Sequence, residues 1–288
     1  MASIWTLLLF LGTSVLAPVT AAEHDKPALI LVPGAFHSAS VYGEVISQLS
    51  DVGYIHNDAV DLPSVGYAAA DVERKADVEV VTELLRYRLR KGEDVIMVGN
   101  SYGATVIMEA VKDFEAYSST FVLERTGVEG RILGLIMLSG YIPTIAEVTA
   151  NPPRPDIRNI GAPFFKYHDP FNTTPSLVTW DRDLATYPPH LTFYNLLNAS
   201  AADHWTSQLL PSSFKALNAT GTYIAYDGTF RTVYVIGEYD NSVSPAFART
   251  YIDQEGAYFE VVVIDGDHVP MLSRPKTVVD VIRRFAEA

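Results

Sequence analysis

Short apolar runs alternate with amphipathic segments along most of the chain. Apolar residues recur with helical spacing over 41–49, 71–90 and 277–286, which predicts helices there. The apolar runs predict strands at 28–32, within 52–60, and at 94–98, 132–138, 231–236 and 259–264. Strands that read as near-continuous apolar runs between helices are typical of a parallel sheet covered on both faces. The pattern therefore predicts an α/β fold, with a mostly parallel sheet and helices on both faces.

Residues 144–228 interrupt this alternation. The segment is rich in Pro, Asn, Thr and aromatic residues. We interpret it as an inserted helical cap between two core strands, which would close over the strand ends and exclude water. The alternative is a long surface excursion with no role in a site. The many aromatic residues favour the cap, because they need a surface to bury against.

Composition limits the possible functions. The chain has 288 residues and 48% hydrophobic residues, which suits one large domain over 23–288. A formal net charge of −13 repels phosphate backbones, so we expect no nucleic-acid partner. There is no cysteine, which excludes disulfides and thiolate metal sites. We find no metalloprotease, P-loop or dinucleotide-binding motif, and expect neither a cofactor nor a metal.

The N-terminus predicts secretion. Residues 4–16 are mostly apolar and are followed by small residues at 19–22, as in a signal peptide over residues 1–22. No Lys or Arg precedes the apolar run, which departs from the usual pattern. A membrane anchor or a misassigned start is the alternative, but polar residues follow too soon for a comfortable transmembrane helix, and we expect no stable membrane insertion.

Three Asn-x-Ser/Thr acceptors support the secretion hypothesis. They begin at Asn172, Asn198 and Asn218, all within one polar region of the chain. Such acceptors are glycosylated on exposed loops of secreted proteins. We therefore expect a secreted glycoprotein.

The stretch VGNSYGA at 98–104 is the first candidate for chemistry. It has the pattern G-x-S-x-G, between an apolar run and a helix-compatible run. In that context the pattern indicates a sharp strand-to-helix turn that exposes a nucleophile, here Ser101. Gly99 and Gly103 would leave room for the turn. The alternative is an ordinary serine in a turn.

A serine nucleophile needs a base and an orienting carboxylate. Among seven histidines, only His268 lies in a loop after a late core strand, at 259–264. Asp240 lies in the loop after the strand at 231–236, and Glu238 is the competing acid. Serine, acid and histidine in this order match one known arrangement of the triad. A structural histidine at 268 and a turn-forming Asp240 are the alternatives.

An oxyanion site needs two backbone N–H donors. One should come from Tyr102, directly after Ser101, and the other from the loop at 33–37 that follows the first strand. His37 lies in that loop. We expect it to hold the loop by a hydrogen bond, rather than to contact substrate.

Four segments resemble the α/β-hydrolase superfamily over nearly the whole mature length. They are LVPGAFHSASVY at 31–42, VGNSYGA at 98–104, VYVIGEYDNSVSP at 233–245 and GDHVPMLSRP at 266–275. The resemblance is to the branch with plant methyl esterases, hydroxynitrile lyases and many fungal and bacterial hydrolases. It implies an α/β-hydrolase fold with Ser101 as nucleophile, His268 as base and Asp240 as acid, and with Ala35 and Tyr102 as the oxyanion donors.

The sequence departs from this branch at several positions. Asn100 stands where the family often has histidine, and Pro33 begins a motif that often starts His-Gly. The lyases place threonine at the position of Gly34 and lysine at that of Val269, so cyanohydrin chemistry would lose its charged partner here.

The function that we expect is secreted, cofactor-independent hydrolysis of a small-molecule carboxylic ester or lactone. The cap aromatics favour an apolar or aromatic acyl or alcohol group. The alternatives are a C–C lyase that uses His268 as general base, and a ligand-binding protein without catalysis. The sequence does not name the substrate or the oligomeric state.

Overall fold

Parallel strands form the centre of the fold in the computed structural model, which describes residues 26–119, 130–149, 154–169 and 176–288. In chain order the strands are β1 (Ala28–Val32), β2 (Asn57–Ala59), β3 (Val95–Asn100), β4 (Ile132–Leu138), β5 (Lys166–His168), β6 (Leu177–Thr179), β7 (Ser212–Ser213), β8 (Thr232–Gly237) and β9 (Glu260–Ile264). Six of them form one sheet in the order β2-β1-β3-β4-β8-β9, and every neighbouring pair is parallel. The expected parallel sheet is confirmed.

Helices lie around this sheet and in the segment between β4 and β8. They are α1 (Gly43–Asp51), α2 (Arg74–Arg90), α3 (Gly103–Ala110), α4 (Ile145–Thr149), α5 (Ile157–Ile160), α6 (Pro189–Thr192), α7 (Ala199–Ser207), α8 (Phe214–Asn218), α9 (Pro245–Ile252), α10 (Pro270–Ser273) and α11 (Pro275–Glu287). Helices α1 and α11 pack against each other, and α2 packs against α3. None of the helices in the described ranges is long and apolar enough to cross a bilayer.

Burial follows the position of each strand in the sheet. All residues of β1 and β3 are buried, because both strands lie inside the sheet. Edge strand β9 is only partly covered, and Val263 is 55% exposed. Strand β2, the other edge, is three residues long and lies at 57–59, so it fills only a small part of the segment where the sequence predicted a strand.

The segment between β4 and β8 holds the short helices α4 to α8. It also contains a small antiparallel sheet in the order β5-β6-β7, which the sequence did not predict. Those strands have three, three and two residues, which is too short for an alternating apolar and polar pattern to be recognised in the sequence. A buried ion pair helps to join this segment to the core: the Arg74 guanidinium lies 3.0 Å from the Glu109 carboxylate and donates to the carbonyl oxygen of Ala219 at 2.6 Å.

Candidate active site

Four candidate residues lie in loops at the carboxyl ends of core strands. Ala35 follows β1, Ser101 follows β3, Asp240 follows β8 and His268 follows β9. The carboxyl ends of parallel strands share one edge of the sheet, which is where ligands bind in open α/β sheets. The topology thus gathers residues that are far apart along the chain.

Ser101 occupies a strained corner between β3 and α3. Its φ is +50°, a left-handed conformation that non-glycine residues rarely adopt. Three backbone hydrogen bonds hold it: Ser101 N–H donates to Leu138 O at 3.1 Å, and Ser101 O accepts from Ala104 and Tyr141 at 3.0 Å each. Strain of this kind persists only where the surroundings enforce it, and it is frequent at functional sites.

Close packing explains the small residues around this corner. A Cβ on Gly103 would lie 2.4 Å from the carbonyl oxygens of both Val32 and Pro33, so α3 begins directly against the end of β1. A Cβ on Gly34 would lie 2.9 Å from the Cβ of Ser101. The loop after β1 therefore touches the serine, which brings Ala35 into its neighbourhood.

Asp240 and His268 form a buried pair. The Nδ1 atom of His268 lies 3.1 and 3.0 Å from the two carboxylate oxygens of Asp240. Both residues are nearly inaccessible to solvent. Asp240 also accepts N–H bonds from Ser242 and Val243, at 2.7 and 2.8 Å. Glu238, the competing acid, is exposed. An Nδ1–H held by a carboxylate leaves the imidazole Nε2 as the proton acceptor.

Two further side chains hold the histidine loop, and sequence reasoning did not assign them this role. Asn100 donates from Nδ2 to the carbonyl oxygens of Leu138 and His268, both at 3.0 Å. It thereby ties the residue before Ser101 to the backbone of His268. Asp267, fully buried, accepts from the backbone N–H of Leu196 at 3.1 Å. Burial raises the pKa of the Asp267 carboxyl.

His37 is a buried hydrogen-bonding residue in the loop after β1. Its Nδ1 lies 2.8 Å from the carbonyl oxygen of Ala35, and its Nε2 lies 2.8 Å from the Tyr194 hydroxyl. An Nδ1–H donor leaves Nε2 to accept from the tyrosine. Burial lowers the pKa of His37 to about 4, so the ring is neutral near pH 7. The ring of Phe193 contacts both His37 and His268, with centroids 5.6 and 5.8 Å away.

A cavity of about 340 Å³ opens beside Ser101. Ala35 and Tyr102 line it from the core, next to the serine, and Ile157, Ala162 and Phe164 line it from the inserted segment. Among the residues that the structure describes, its lining includes no charged side chain. A larger groove between α2, α3 and α8 is lined by many charged residues and does not include Ser101.

Tyr102 connects this cavity to another buried carboxylate, Asp77. Its hydroxyl donates to Asp77 Oδ2 at 2.7 Å, and its ring faces the Arg74 guanidinium at 5.8 Å. Burial raises the pKa of Asp77, and it raises the pKa of Tyr102 strongly. This contact was not predicted, since Asp77 lies in a helix rich in charged residues.

The sequence profile of the alpha/beta hydrolase family matches residues 29–281, which include all four core loops described above. The chain belongs to the alpha/beta hydrolase family. Alpha/beta hydrolase nvfD from Aspergillus novofumigatus is 26% identical over 264 residues, covering 91% of this chain and 97% of that protein. An alpha-hydroxynitrile lyase from Arabidopsis thaliana is 23% identical over 279 residues, covering 91% and 97%.

Solved structures of two esterases share this fold. The methylesterase MES16 from Arabidopsis superposes with a TM-score of 0.69 at 18% identity, covering 91% of this chain and 99% of that one. Polyneuridine aldehyde esterase superposes with a TM-score of 0.70 at 18% identity, covering 91% and 99%. At such identities the likeness supports the fold alone.

The expected glycosylation acceptors differ in their surroundings. Asn198 is exposed and caps α7 by accepting the N–H of Ala201 at 2.9 Å. Asn218 is half-buried, and its Oδ1 accepts the N–H of Ile157 at 2.7 Å. Asn172 and the expected signal peptide at 1–22 lie outside the described residues.

Proposed function

We propose that this alpha/beta hydrolase cleaves a carboxylic ester or a lactone through a Ser101–His268–Asp240 triad. One observation carries the proposal: the Asp240 carboxylate holds His268 Nδ1 at 3.0 Å, at the sheet edge where Ser101 is held at a strained corner. This pair supplies the oriented base that a serine nucleophile needs, and we propose that His268 Nε2 accepts from the Ser101 hydroxyl.

Acylation follows from this arrangement. His268 Nε2 takes the Ser101 hydroxyl proton while the serine oxygen bonds to the carbonyl carbon of the substrate. The carbonyl oxygen becomes an oxyanion and accepts from the N–H groups of Ala35 and Tyr102. Removing one such donor typically costs about 3 kcal/mol of transition-state stabilisation. The bond to the leaving alcohol then breaks, and His268 transfers the proton to it.

Deacylation repeats these steps with water. His268 removes a proton from a water molecule, whose oxygen attacks the acyl-enzyme carbonyl. Collapse of the second tetrahedral intermediate releases the carboxylic acid and returns the proton to Ser101. Throughout both steps Asp240 orients the imidazole and stabilises its protonated form.

The cavity beside Ser101 supports a neutral, largely apolar substrate group. Its lining is mostly hydrophobic, as in other small-molecule sites. A substrate carboxylate placed there would lose water without gaining a cationic partner. Arg154 lies nearby, but its guanidinium donates to the carbonyl oxygens of Leu217 and Ala219, at 3.0 and 2.9 Å. We therefore assign the cavity to an apolar or aromatic acyl or alcohol group.

A panel of esters and lactones tests the proposal. Wild type and Ser101→Ala are assayed side by side, with neutral and carboxylate-bearing acyl groups of matched size. Product analysis in ¹⁸O-labelled water follows whether one oxygen enters the acid product. We expect hydrolysis with label uptake by wild type, little activity of Ser101→Ala, and preference for neutral acyl groups.

Two other outcomes would overturn the hydrolase proposal. Cleavage of a C–C bond without uptake of water would indicate a lyase that uses His268 as base. Val269, directly after His268, is apolar and 1% exposed, so it offers no charge to such chemistry. Binding of the panel compounds without turnover would indicate a ligand-binding protein.

Secretion is part of the same proposal. It rests on the leader at 1–22 and on the acceptor at Asn198, which is exposed. Expression in a eukaryotic secretory host should yield protein in the medium with its N-terminus near residue 23. A glycosidase that removes N-linked glycans should lower its mass. Intracellular, unmodified protein with an intact leader would contradict secretion.

A further inference from the structure

Phe36, directly after the proposed donor Ala35, is fixed by the inserted segment. Its backbone is left-handed, with φ +69°. Its N–H donates to the Ser212 hydroxyl oxygen at 2.9 Å, and its carbonyl oxygen accepts from the N–H of Leu210 at 2.9 Å. Ser212 is 1% exposed. Both backbone polar groups of this strained residue are thus satisfied by residues far along the chain.

The Phe36 ring strengthens this attachment. It packs edge-on against Phe165 and Trp180, with ring centroids 5.6 and 5.8 Å away. Edge-on aromatic pairs stabilise a contact beyond the effect of the area that they bury. The loop that carries Ala35 is therefore attached to the inserted segment by backbone, hydroxyl and ring contacts together.

The other proposed donor, Tyr102, is held by Asp77. The carboxylate of Asp77 is fully buried and bridges two groups: it accepts from the Tyr102 hydroxyl at 2.7 Å and from the backbone N–H of Ser64 at 2.8 Å. Tyr102 stands directly before α3, so this contact couples the position of the Tyr102 side chain to Asp77.

Strand β7 connects the two anchors. Ser213, the neighbour of Ser212, donates its N–H to the carbonyl oxygen of Ser64 at 2.7 Å. The N–H of Gly66 donates to Pro211 O at 2.8 Å, so β7 pairs with the segment that Asp77 holds. The chain of contacts runs from the Ala35 loop through β7 and Asp77 to Tyr102.

We propose that Ser212 and Asp77 are positioning residues that, through β7, fix the spacing of the two oxyanion donors. The inference rests on the proposed function, because it needs the Ala35 and Tyr102 N–H groups to stabilise a transition state. Neither side chain is assigned to contact the substrate. Their loss should slow the chemical step and leave ground-state binding nearly unchanged.

Variants of Ser212 and Asp77 test the inference. Ser212→Ala removes the acceptor for Phe36, Ser212→Thr keeps a hydroxyl there, and Asp77→Asn keeps the shape of the side chain without its charge. Thr232→Val is the matched control, because it removes another hydroxyl of a buried residue. That hydroxyl lies at the start of β8 and donates to Tyr258 O at 2.6 Å.

Three readouts separate positioning from a general loss of stability. They are kcat and KM for p-nitrophenyl butyrate, inhibition by propyl trifluoromethyl ketone, which forms a tetrahedral adduct on serine, and the rate of labelling by a fluorophosphonate. Thermal unfolding is measured in parallel. The labelling rate requires no knowledge of the natural ester.

We expect Ser212→Ala and Asp77→Asn to lower kcat about 10- to 100-fold, less than the loss of a whole oxyanion donor, with KM within about twofold. The affinity for the trifluoromethyl ketone and the rate of fluorophosphonate labelling should fall by similar factors. Ser212→Thr should restore most of the kcat lost in Ser212→Ala, and Thr232→Val should lower only the melting temperature.

The inference is overturned if Ser212→Ala behaves as Thr232→Val does, or if it raises KM with kcat unchanged. Failure of the proposed function looks different. In that case wild type is not labelled by the fluorophosphonate, or Ser101→Ala retains turnover, and the positioning role fails with it. Loss of activity in Ser101→Ala, together with normal kcat in Ser212→Ala and Asp77→Asn, overturns the positioning role alone.

Discussion

Asp240 holds His268 through both carboxylate oxygens, 3.1 and 3.0 Å from Nδ1, and the same carboxylate accepts two backbone N–H bonds from the loop that follows it. Four contacts therefore fix the plane of the carboxylate before any substrate binds. Such preorganisation is what a group that orients a catalytic histidine requires.

Asp240→Asn should lower kcat about 10³- to 10⁴-fold, because an amide stabilises neither the required imidazole tautomer nor the protonated ring. Steady-state kinetics on the best ester of the panel measures the loss. Glu238→Gln is the matched control: it removes a carboxylate two residues away, which is exposed. Equal effects of the two substitutions would contradict the assignment of Asp240.

Gly34→Ala should impair catalysis while the fold persists. The added Cβ would lie 2.9 Å from the Cβ of Ser101, so the loop that carries Ala35 must shift. A displacement of about 1 Å near the reacting atoms can cost about 100-fold in rate. At Gly43 the same substitution meets no atom within 4 Å and should leave kcat unchanged. A fully active Gly34→Ala enzyme would show that this loop does not stabilise the oxyanion.

His37 should make the protein less stable in acid. Burial lowers its folded-state pKa to about 4, against 6.5 for an ordinary histidine. The unfolded chain therefore binds the additional proton between these values, and stability is lost as the pH falls from 6.5 towards 4. The full loss from this group is about 3 kcal/mol.

Urea unfolding of wild type and His37→Asn across this pH range measures the difference. Asparagine keeps a donor for Ala35 O but does not titrate. Asp77 and Asp267, whose pKa values are raised, act in the opposite direction, but they are present in both proteins and cancel in the comparison. We expect wild type to lose more stability than the variant on acidification. Parallel pH profiles would contradict a buried, neutral His37.

Ala162→Leu should narrow the substrate range. Ala162 lines the cavity beside Ser101, so a longer side chain there occupies space that the substrate needs. We expect kcat/KM for aromatic or long-chain acyl esters to fall about 10- to 200-fold, as for other changes in the fit of a hydrophobic pocket, with little change for an acetyl ester. Equal losses for short and long esters would mean that the substrate group lies elsewhere.

Local patterns predicted the central elements of this fold and several candidate residues. Strands β1, β3 and β4 are buried from end to end or nearly so, and their apolar runs mark them in the sequence. The turn at Ser101 is also local, because the required small residues lie within two positions of it. Topology then brings the loops after β8 and β9 to the same edge, where Asp240 and His268 pair.

Contacts between distant segments were not predictable in the same way. Asp77 lies in a helix rich in charged residues, so its sequence context is that of a solvent-exposed carboxylate. Only the structure shows that it is buried and accepts from the Tyr102 hydroxyl. Strand β7 has two residues, and its role depends on Phe36, 176 positions away from Ser212. No periodicity or motif encodes such pairs, since each side chain is ordinary in its own neighbourhood.

The reactivity of Ser101 is the central claim, and intact-mass spectrometry after fluorophosphonate treatment tests it most directly. The folded wild type should gain one phosphonyl adduct, which peptide mapping places on Ser101, with loss of esterase activity in the same proportion. Ser101→Ala should gain none. An unlabelled wild type, or turnover that survives in Ser101→Ala, would contradict the account.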